Sequence, residues 1–447
     1  MSRFPMFRTF LLTALVIVGL LLLGLLPDWS LGDWISKPVD VLSDLMPSDT
    51  TQTQDNALEV VVPADSCKPG VTCIADYAQG DTANMEHFYA ALNEAKSRPV
   101  RIAFIGDSFV ESDILTDALR DLLQGHYGGE GVGFVTIDHV AVAGRKTIRQ
   151  QRTGWEMHSA IDKQYNAALT GLSGYYFIAQ DGAMVELEGN SEYSGHLGHA
   201  EVSHFLFKTQ GFPLSLTAST ETGQSQQFST KAEAGLQCVT FQAPMRRVRW
   251  SLGGTSGVVG YGVTMEGRTG IVIDNLSLRG SSGLPLLVVS QEHLLSLNAL
   301  RPYDLVVLQF GLNVMLRGKS DYSAYTAQLE RIISHLRAAM PETAFLVMGI
   351  SDRDGKLRTG ELGTLPEIAP LIEAQAGAAV GRSVAFWNTF EAMGGNGAMV
   401  EYAKANPPMA AKDYTHINEE GGRRIARHLF DAIVWGHELY NMKQTNQ

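Results

Sequence analysis

The chain has 447 residues, enough for two domains and a sizeable core. Its 45% apolar and 18% charged content is that of a globular protein and excludes a disordered one. A net charge of -12 argues against a nucleic-acid partner; the one basic run, Met245-Arg246-Arg247-Val248-Arg249, reads as the start of a strand.

Arg3 and Arg8 precede residues 10–26, which are apolar apart from Thr13 and two glycines. That is about the shortest run that crosses a bilayer as a helix. A cleaved signal peptide is the alternative. The following Leu-Gly-Leu-Leu-Pro-Asp-Trp offers no small-x-small cleavage site, so an uncleaved signal anchor at 1–27 is favoured. Basic residues at the amino end put that end in the cytoplasm. The expectation is a single-pass protein of a bacterial inner membrane, with the rest of the chain in the periplasm or outside the cell.

Residues 28–80 are rich in Pro, Ser, Asp, Thr and Gln and read as a tether. Near its end, Cys67 and Cys73 flank a Pro-Gly turn. They form either a small disulfide loop or two separate thiols. Cys238 lies in an apolar run and reads as a buried free thiol.

Residues 85–95 have helical spacing. Ile102 to Ile105 form a short apolar run, long enough for a strand buried on both faces. Gly106-Asp107-Ser108 ends it. Ile114, Leu115, Ala118, Leu119 and Leu122 then recur as on an amphipathic helix. Strand, tight turn and helix would leave Ser108 at the carboxyl end of a strand, where open α/β sheets bind ligands. A helix cap is the other reading of Asp107-Ser108. Four glycines between Gly128 and Gly133 make a loop, and Gly144-Arg145-Lys146 closes this first α/β piece, 81–149.

From 150 to 275 helical periodicity disappears. Short apolar runs at 174–179, 183–187, 204–208, 214–218, 237–242, 248–252 and 259–266 alternate with turn residues. That pattern predicts an all-β sandwich inserted into the α/β domain. Alternation of helix and strand returns over 276–447. Strands are expected at 304–310, 344–350 and 384–387. A helix is expected at 322–340 with Leu329, Ile332, Ile333 and Leu336 on one face. Asn418 caps a last helix whose apolar face is Ile425, Leu429, Ile433 and Val434. Strands joined by helices give a parallel sheet covered on both sides.

The usual Gly-x-Ser-x-Gly nucleophile elbow is absent. In Asp413-Tyr414-Thr415-His416, however, an acid three residues ahead of a histidine can reach back to its Nδ1–H. A surface loop with a capping Asp is the alternative. His196, His199 and His204 lie in and beside a Gly-rich loop without a Cys or carboxylate cluster, so no metal site is assigned to them. Asn313, in Gln309-Phe310-Gly311-Leu312-Asn313, could donate to a developing oxyanion. So could a backbone N–H of the Gly-rich run Arg279-Gly280-Ser281-Ser282-Gly283.

In this order the four pieces resemble the SGNH (GDSL-type) hydrolase superfamily. The resemblance implies a flavodoxin-like, three-layer α/β/α domain. It implies Ser108 as nucleophile, Asp413 and His416 as the rest of a triad, and an oxyanion hole of the Ser108 N–H, the Gly280 N–H and Asn313. Gly283 remains an alternative to Gly280. Two departures are Val314 after Asn313, where the family often has Asp, and Phe109 in place of the leucine of the first block. Gly128-Gly129-Glu130-Gly131-Val132-Gly133-Phe134 and the run Phe386-Trp387-Asn388-Thr389-Phe390-Glu391 resemble the peptidoglycan O-acetylesterase branch. That branch carries a carbohydrate-binding-module-like β insert between the first and second blocks. The implied activity is release of acetyl groups from an O-acetylated glycan, with no metal or organic cofactor. Three other readings stay open: an O-acetyltransferase on the same triad, a plain lipase or thioesterase, and an inactive glycan-binding protein. The last would need Trp155, Tyr175, Tyr176 or Trp250 exposed on the β domain.

Overall fold

A computed structural model describes residues 67–78, 85–138, 145–254 and 257–446. The predicted anchor at 1–27 and most of the tether at 28–80 lie outside the described residues. Among the described residues no helix is long and apolar enough to cross a membrane.

The strands in chain order begin with β1 (Ala75–Asp76), β2 (Pro99–Gly106), β3 (Gly133–Thr136), β4 (Ile148–Ser159), β5 (Tyr175–Gly189) and β6 (Ala200–Gln210). Next come β7 (Ser215–Thr220), β8 (Ser225–Ser229), β9 (Ala234–Met245), β10 (Arg247–Leu252), β11 (Val259–Met265) and β12 (Gly270–Ser277). The last are β13 (Leu305–Gln309), β14 (Ala344–Met348), the short hairpin β15 (Asp354–Lys356) and β16 (Leu362–Thr364), and β17 (Ala385–Trp387).

Two sheets organise the molecule. The first has the order β1-β17-β14-β13-β2-β12, parallel except for the two-residue edge strand β1. Within this sheet the five parallel strands therefore run 2-1-3-4-5 in chain order, the flavodoxin-like arrangement. Residues alternate between its two faces. Val100, Ile102 and Phe104 of β2 pack with the helices Met85–Asn93, Thr116–Tyr127 and Glu419–Thr445. Ala103 and Ile105 pack on the other side with Gln291–Leu300 and Ser323–Ala339. Burial on both faces is why these strands read as unbroken apolar runs. The expected faces of the helices hold: Leu329, Ile332, Ile333 and Leu336 are buried, as are Ile425, Leu429 and Ile433. Val434 is only partly buried.

The second sheet is antiparallel and has nine strands, β8-β7-β10-β5-β11-β6-β9, with β3 added on β11 and β4 on β5. It is one hydrogen-bonded sheet branched at β5 and β11, and it folds back on itself so that residues of β6 and β10 pack together. The expected runs at 174–179 and 183–187 are the two halves of the single strand β5. Its core holds Trp250, which stacks on Phe205 and Phe228 and donates its indole N–H to Ser203 Oγ at 2.9 Å. Tyr175 and Tyr176 are buried too, and Trp155 is half-buried with its N–H on the Met184 carbonyl. None of the four is an exposed aromatic platform.

Strand membership moves the expected boundaries. Gly133–Thr136 belongs to the nine-stranded sheet, and Gly270–Ser277 to the parallel one. The β piece thus spans about 133–265 instead of 150–275. The physical reason is the polar pair Asp274-Asn275, which resembles a turn in sequence but is buried in β12. Asp274 accepts two hydrogen bonds from Arg301, at 2.8 and 2.9 Å, one from Tyr303 at 2.7 Å and one from the Phe134 N–H at 2.7 Å. Arg301 also pairs with Glu266, which pairs in turn with Arg101 and His204. This buried network, with the apolar cluster around Phe134, Tyr261, Ile105 and Leu276, locks the β piece onto the parallel sheet.

Cys67 and Cys73 form a disulfide. The loop it closes sits at the sheet edge, where Trp387 donates to the Thr72 carbonyl at 3.0 Å and Ala75 pairs with Phe386. Cys238 is a free, half-buried thiol, and burial pushes its pKa up to about 11.

Candidate active site

The register of the parallel sheet brings the predicted blocks together. Gly106 of β2 is level with Ser277 of β12 and with Gln309 of β13. The segments leaving those three strand ends carry Ser108, Gly280 and Asn313. This is where strand order reverses, the place where open α/β sheets open a crevice.

Ser108 does not stand at a helix start. The following α-helix begins only at Thr116, after a short 3-10 turn at Glu111–Asp113. Asp107 therefore caps no helix. Its Oδ1 accepts the Phe109 N–H at 2.9 Å, and its Oδ2 accepts Asn313 Nδ2 at 2.9 Å. Burial pushes the Asp107 carboxyl up to about 6, against the opposing pull of the Phe109 N–H, the Asn313 amide and the nearby His416.

The loop after Ser108 is held by a polar cluster that the sequence did not reveal. Ser112 and Asp113 have φ of 56° and 62°, a left-handed conformation that costs side-chain-bearing residues on the order of 1 kcal/mol or more each. The Asp113 carboxylate offsets this. It accepts from Arg145 at 2.6 Å, Thr147 at 2.5 Å, Thr116 at 2.8 Å, Asn275 at 2.9 Å and Arg120 at 3.3 Å. Burial alone would push its pKa up, but Arg145, Arg120 and the two threonine hydroxyls hold it well below the usual carboxylate range. Asn275 also donates to the Val110 carbonyl at 2.7 Å, tying the loop to β12. The one sequence signal was an acid placed beside the apolar pair Ile114-Leu115.

The Asp413–His416 turn is built differently. Asp413 Oδ1 accepts the N–H groups of Thr415 and His416 at 3.0 and 3.1 Å, while Oδ2 takes His416 Nδ1–H at 2.7 Å. One carboxylate both caps the turn and orients the imidazole. Burial raises the Asp413 pKa, but the imidazole and backbone donors together outweigh it, so the carboxyl lies below its ordinary value. Tyr414 takes φ 53° to make the turn, and its carbonyl accepts the Asp354 N–H at 3.0 Å. The side chains of His416 and Asp413 are 58% and 50% exposed.

Ser108 Oγ has no hydrogen-bond partner among the described residues, so the Asp413–His416 link is formed and the His416–Ser108 link is open. Such links are often loose until substrate is bound. The Gly283 N–H is taken by Ser281 Oγ at 3.0 Å, whereas the N–H groups of Ser108 and Gly280 have no partner among the described residues. Gly280, with φ 76°, is exposed, and open space surrounds its Cα. Asn313 Nδ2 also donates to the Ser281 carbonyl at 3.1 Å, so its amide is anchored on two sides. The histidines of the β piece have other partners: His199 pairs with Glu130 and His204 with Glu266. Among the described residues no three His, Cys, Asp or Glu are grouped to hold a metal.

Residues 248–424 match the GDSL-like lipase/acylhydrolase family. The chain carries a GDSL-like lipase/acylhydrolase domain. The matched stretch includes Gly280, Asn313, Asp413 and His416; Ser108 lies outside it, across the β piece. No curated protein sequence matches the chain. Among solved structures, a peptidoglycan O-acetylesterase is 21% identical, overlaps with a TM-score of 0.66, and covers 83% of this chain and 99% of its own. That overlap spans both sheets and establishes a shared fold. Family two carbohydrate esterases from Cellvibrio japonicus and Clostridium thermocellum are 9% and 10% identical, with TM-scores of 0.27 and 0.28. They cover 64% and 63% of this chain and 99% and 100% of their own.

Proposed function

We propose that the chain is a serine esterase that removes O-acetyl groups from a cell-wall polysaccharide, peptidoglycan being the first candidate. The observation that carries this reading is the hydrogen-bonded Asp413–His416 pair, in a chain whose Ser108, Gly280 and Asn313 follow the level ends of three adjacent parallel strands. The fold shared with a peptidoglycan O-acetylesterase supports the substrate.

In the reaction, Ser108 Oγ attacks the acetyl carbonyl carbon while His416 Nε2 takes its proton. Asp413 holds the imidazole in the tautomer that leaves Nε2 free to do so. The oxyanion is received by the free N–H groups of Ser108 and Gly280, with Asn313 turning one amide proton from the Ser281 carbonyl towards it. Each such donor is worth about 3 kcal/mol. The sugar oxygen leaves with the proton from His416. Water, deprotonated by the same imidazole, then attacks the acetyl-serine and releases acetate. The exposure of the dyad suits a reaction on a bulky polymer rather than on a long acyl chain that must be buried.

The working location is the outer side of a bacterial inner membrane. The apolar run at 10–26 would supply the anchor, and the Cys67–Cys73 disulfide fits an oxidising compartment.

The test is acetate release from O-acetylated peptidoglycan and from p-nitrophenyl acetate. Ser108→Ala should lower turnover about 10⁴-fold or more on both. Unchanged release in that variant sinks the assignment. Acetylated product formed when a glycan acceptor is added would turn the reading to a transferase on the same residues.

A further inference from the structure

Three segments border the catalytic end of the sheet and are joined to one another. The segment after Asn313 runs to Lys319. The β15–β16 hairpin lies beside it, and Arg317 donates to the Lys356 carbonyl at 2.8 Å. The hairpin in turn meets the base turn through the Asp354–Tyr414 hydrogen bond at 3.0 Å. The rim is therefore continuous with the segments that carry Asn313 and His416.

Three acids of the rim point inward. Asp352 accepts the Met399 N–H at 3.0 Å and the Thr364 hydroxyl at 2.9 Å, Asp354 the Val400 N–H at 2.7 Å, and Glu367 the Gly318 N–H at 2.5 Å. All three are buried. The cations are on the outside: Arg317, Lys356, Arg358 and Lys412 are exposed, and Lys319 lies over the Tyr322 ring at 5.0 Å. Among the described residues none of these five makes an ion pair, whereas arginines of the β piece such as Arg247 and Arg249 are paired. Two exposed acids, Asp321 and Glu361, and the catalytic-turn Asp413 stand against them. A chain of net charge -12 thus presents unpaired positive charge where its substrate must approach. Leu316 and Leu362, exposed by 63% and 43% among these cations, offer apolar surface to the C–H faces of sugar rings.

We propose that this rim selects glycans that carry carboxylates near the acetylated sugar, as uronic acids or peptide stems would supply, over neutral acetylated glycans. The proposal rests on the esterase reading of Ser108 and specifies its substrate class. Rim charges act through long-range attraction and loose contact, so their effect falls on capture of the substrate and is screened by salt. An anionic lipid surface is the competing partner for such a patch. The glycan is favoured because the cations belong to the segments that hold Asn313 and His416 or to the hairpin hydrogen-bonded to both.

The experiment uses the full chain in detergent, as wild type, as Arg317→Gln/Arg358→Gln and as Arg317→Lys/Arg358→Lys. Three substrates are compared: an O-acetylated glycan with free carboxylates, the same glycan with its carboxylates amidated, and p-nitrophenyl acetate. Wild type should lose about tenfold in kcat/KM when the carboxylates are amidated. The Gln variant should lose about tenfold on the charged glycan, through KM, and nothing on the other two; the Lys variant should keep most of the preference. Equal kcat/KM for wild type and Gln variant on the charged glycan overturns the proposal. So does a loss of the same size on all three substrates. Binding to vesicles containing phosphatidylglycerol that needs Arg317 and Arg358, with glycan kinetics unaffected, assigns the rim to the membrane and also overturns it. Failure of the esterase reading is separate: wild type would release acetate from neither glycan.

Discussion

The two halves of the candidate site are held in place by opposite means. The Ser108 loop is fixed from beneath by a buried carboxylate, Asp113, with two arginines and an amide drawn from distant parts of the chain. The Asp413–His416 turn is fixed locally, by one exposed carboxylate that satisfies its own neighbours. A proposed nucleophile held by tertiary contacts and a proposed base held by its own turn should therefore fail in different ways. Damage to the first should cost stability as well as rate. Damage to the second should cost rate alone.

The sharpest way to break that contrast is at the base. His416→Ala should lower kcat on p-nitrophenyl acetate about 10⁴-fold while the unfolding free energy in urea stays within about 0.5 kcal/mol of wild type, since the side chain is exposed. A large loss of stability in this variant would show that the turn is not a local structure. Next in size, Asp113→Ala leaves Arg120 and Arg145 buried without their acid, which costs about 3–5 kcal/mol by the usual measure of broken buried pairs. Equilibrium unfolding in urea reads it directly. A stable Asp113→Ala chain would mean that the Ser108 loop has another support.

The smallest effect sharpens the comparison through pH. Burial raises the folded pKa of Asp107 from about 3.8 to about 6. The native state then holds this proton more tightly than the unfolded chain. Stability from this group is present below the unfolded pKa and is lost as pH rises from about 4 through about 6, a change on the order of 2–3 kcal/mol. Asp107→Asn should remove that slope, and the difference between the two pH series isolates the group from other carboxylates. The same variant should lower kcat, because Asn313 loses the carboxylate that anchors it. Parallel pH series for the two chains would contradict the assignment.

How much of this was legible follows the same division. Asp413 and His416 could be read because three residues of spacing fix their relation, and Gly106-Asp107-Ser108 because an apolar run ends there. Strands β2 and β13 were read for the same reason: burial on both faces leaves an uninterrupted apolar stretch. Asp113 was not legible, since Arg120, Arg145, Thr147 and Asn275 meet it only after folding. Strand β12 was misassigned because its polar residues, Asp274 and Asn275, are satisfied by side chains from other elements. The late start of the helix at Thr116 was hidden by two residues in left-handed conformation that only the Asp113 cluster can stabilise.

Periodicity and short spacing, which are local properties of a chain, were enough for the alternation of strands and helices, the β insertion between them, and the candidate catalytic side chains. Tertiary structure alone decided which glycine keeps a free N–H, which aromatics are core, where the β piece begins and ends, and which charges face outward. Each of those depends on a partner that arrives from a distant segment, and burial, not residue type, sets whether a polar group is spent on the fold or left for a ligand.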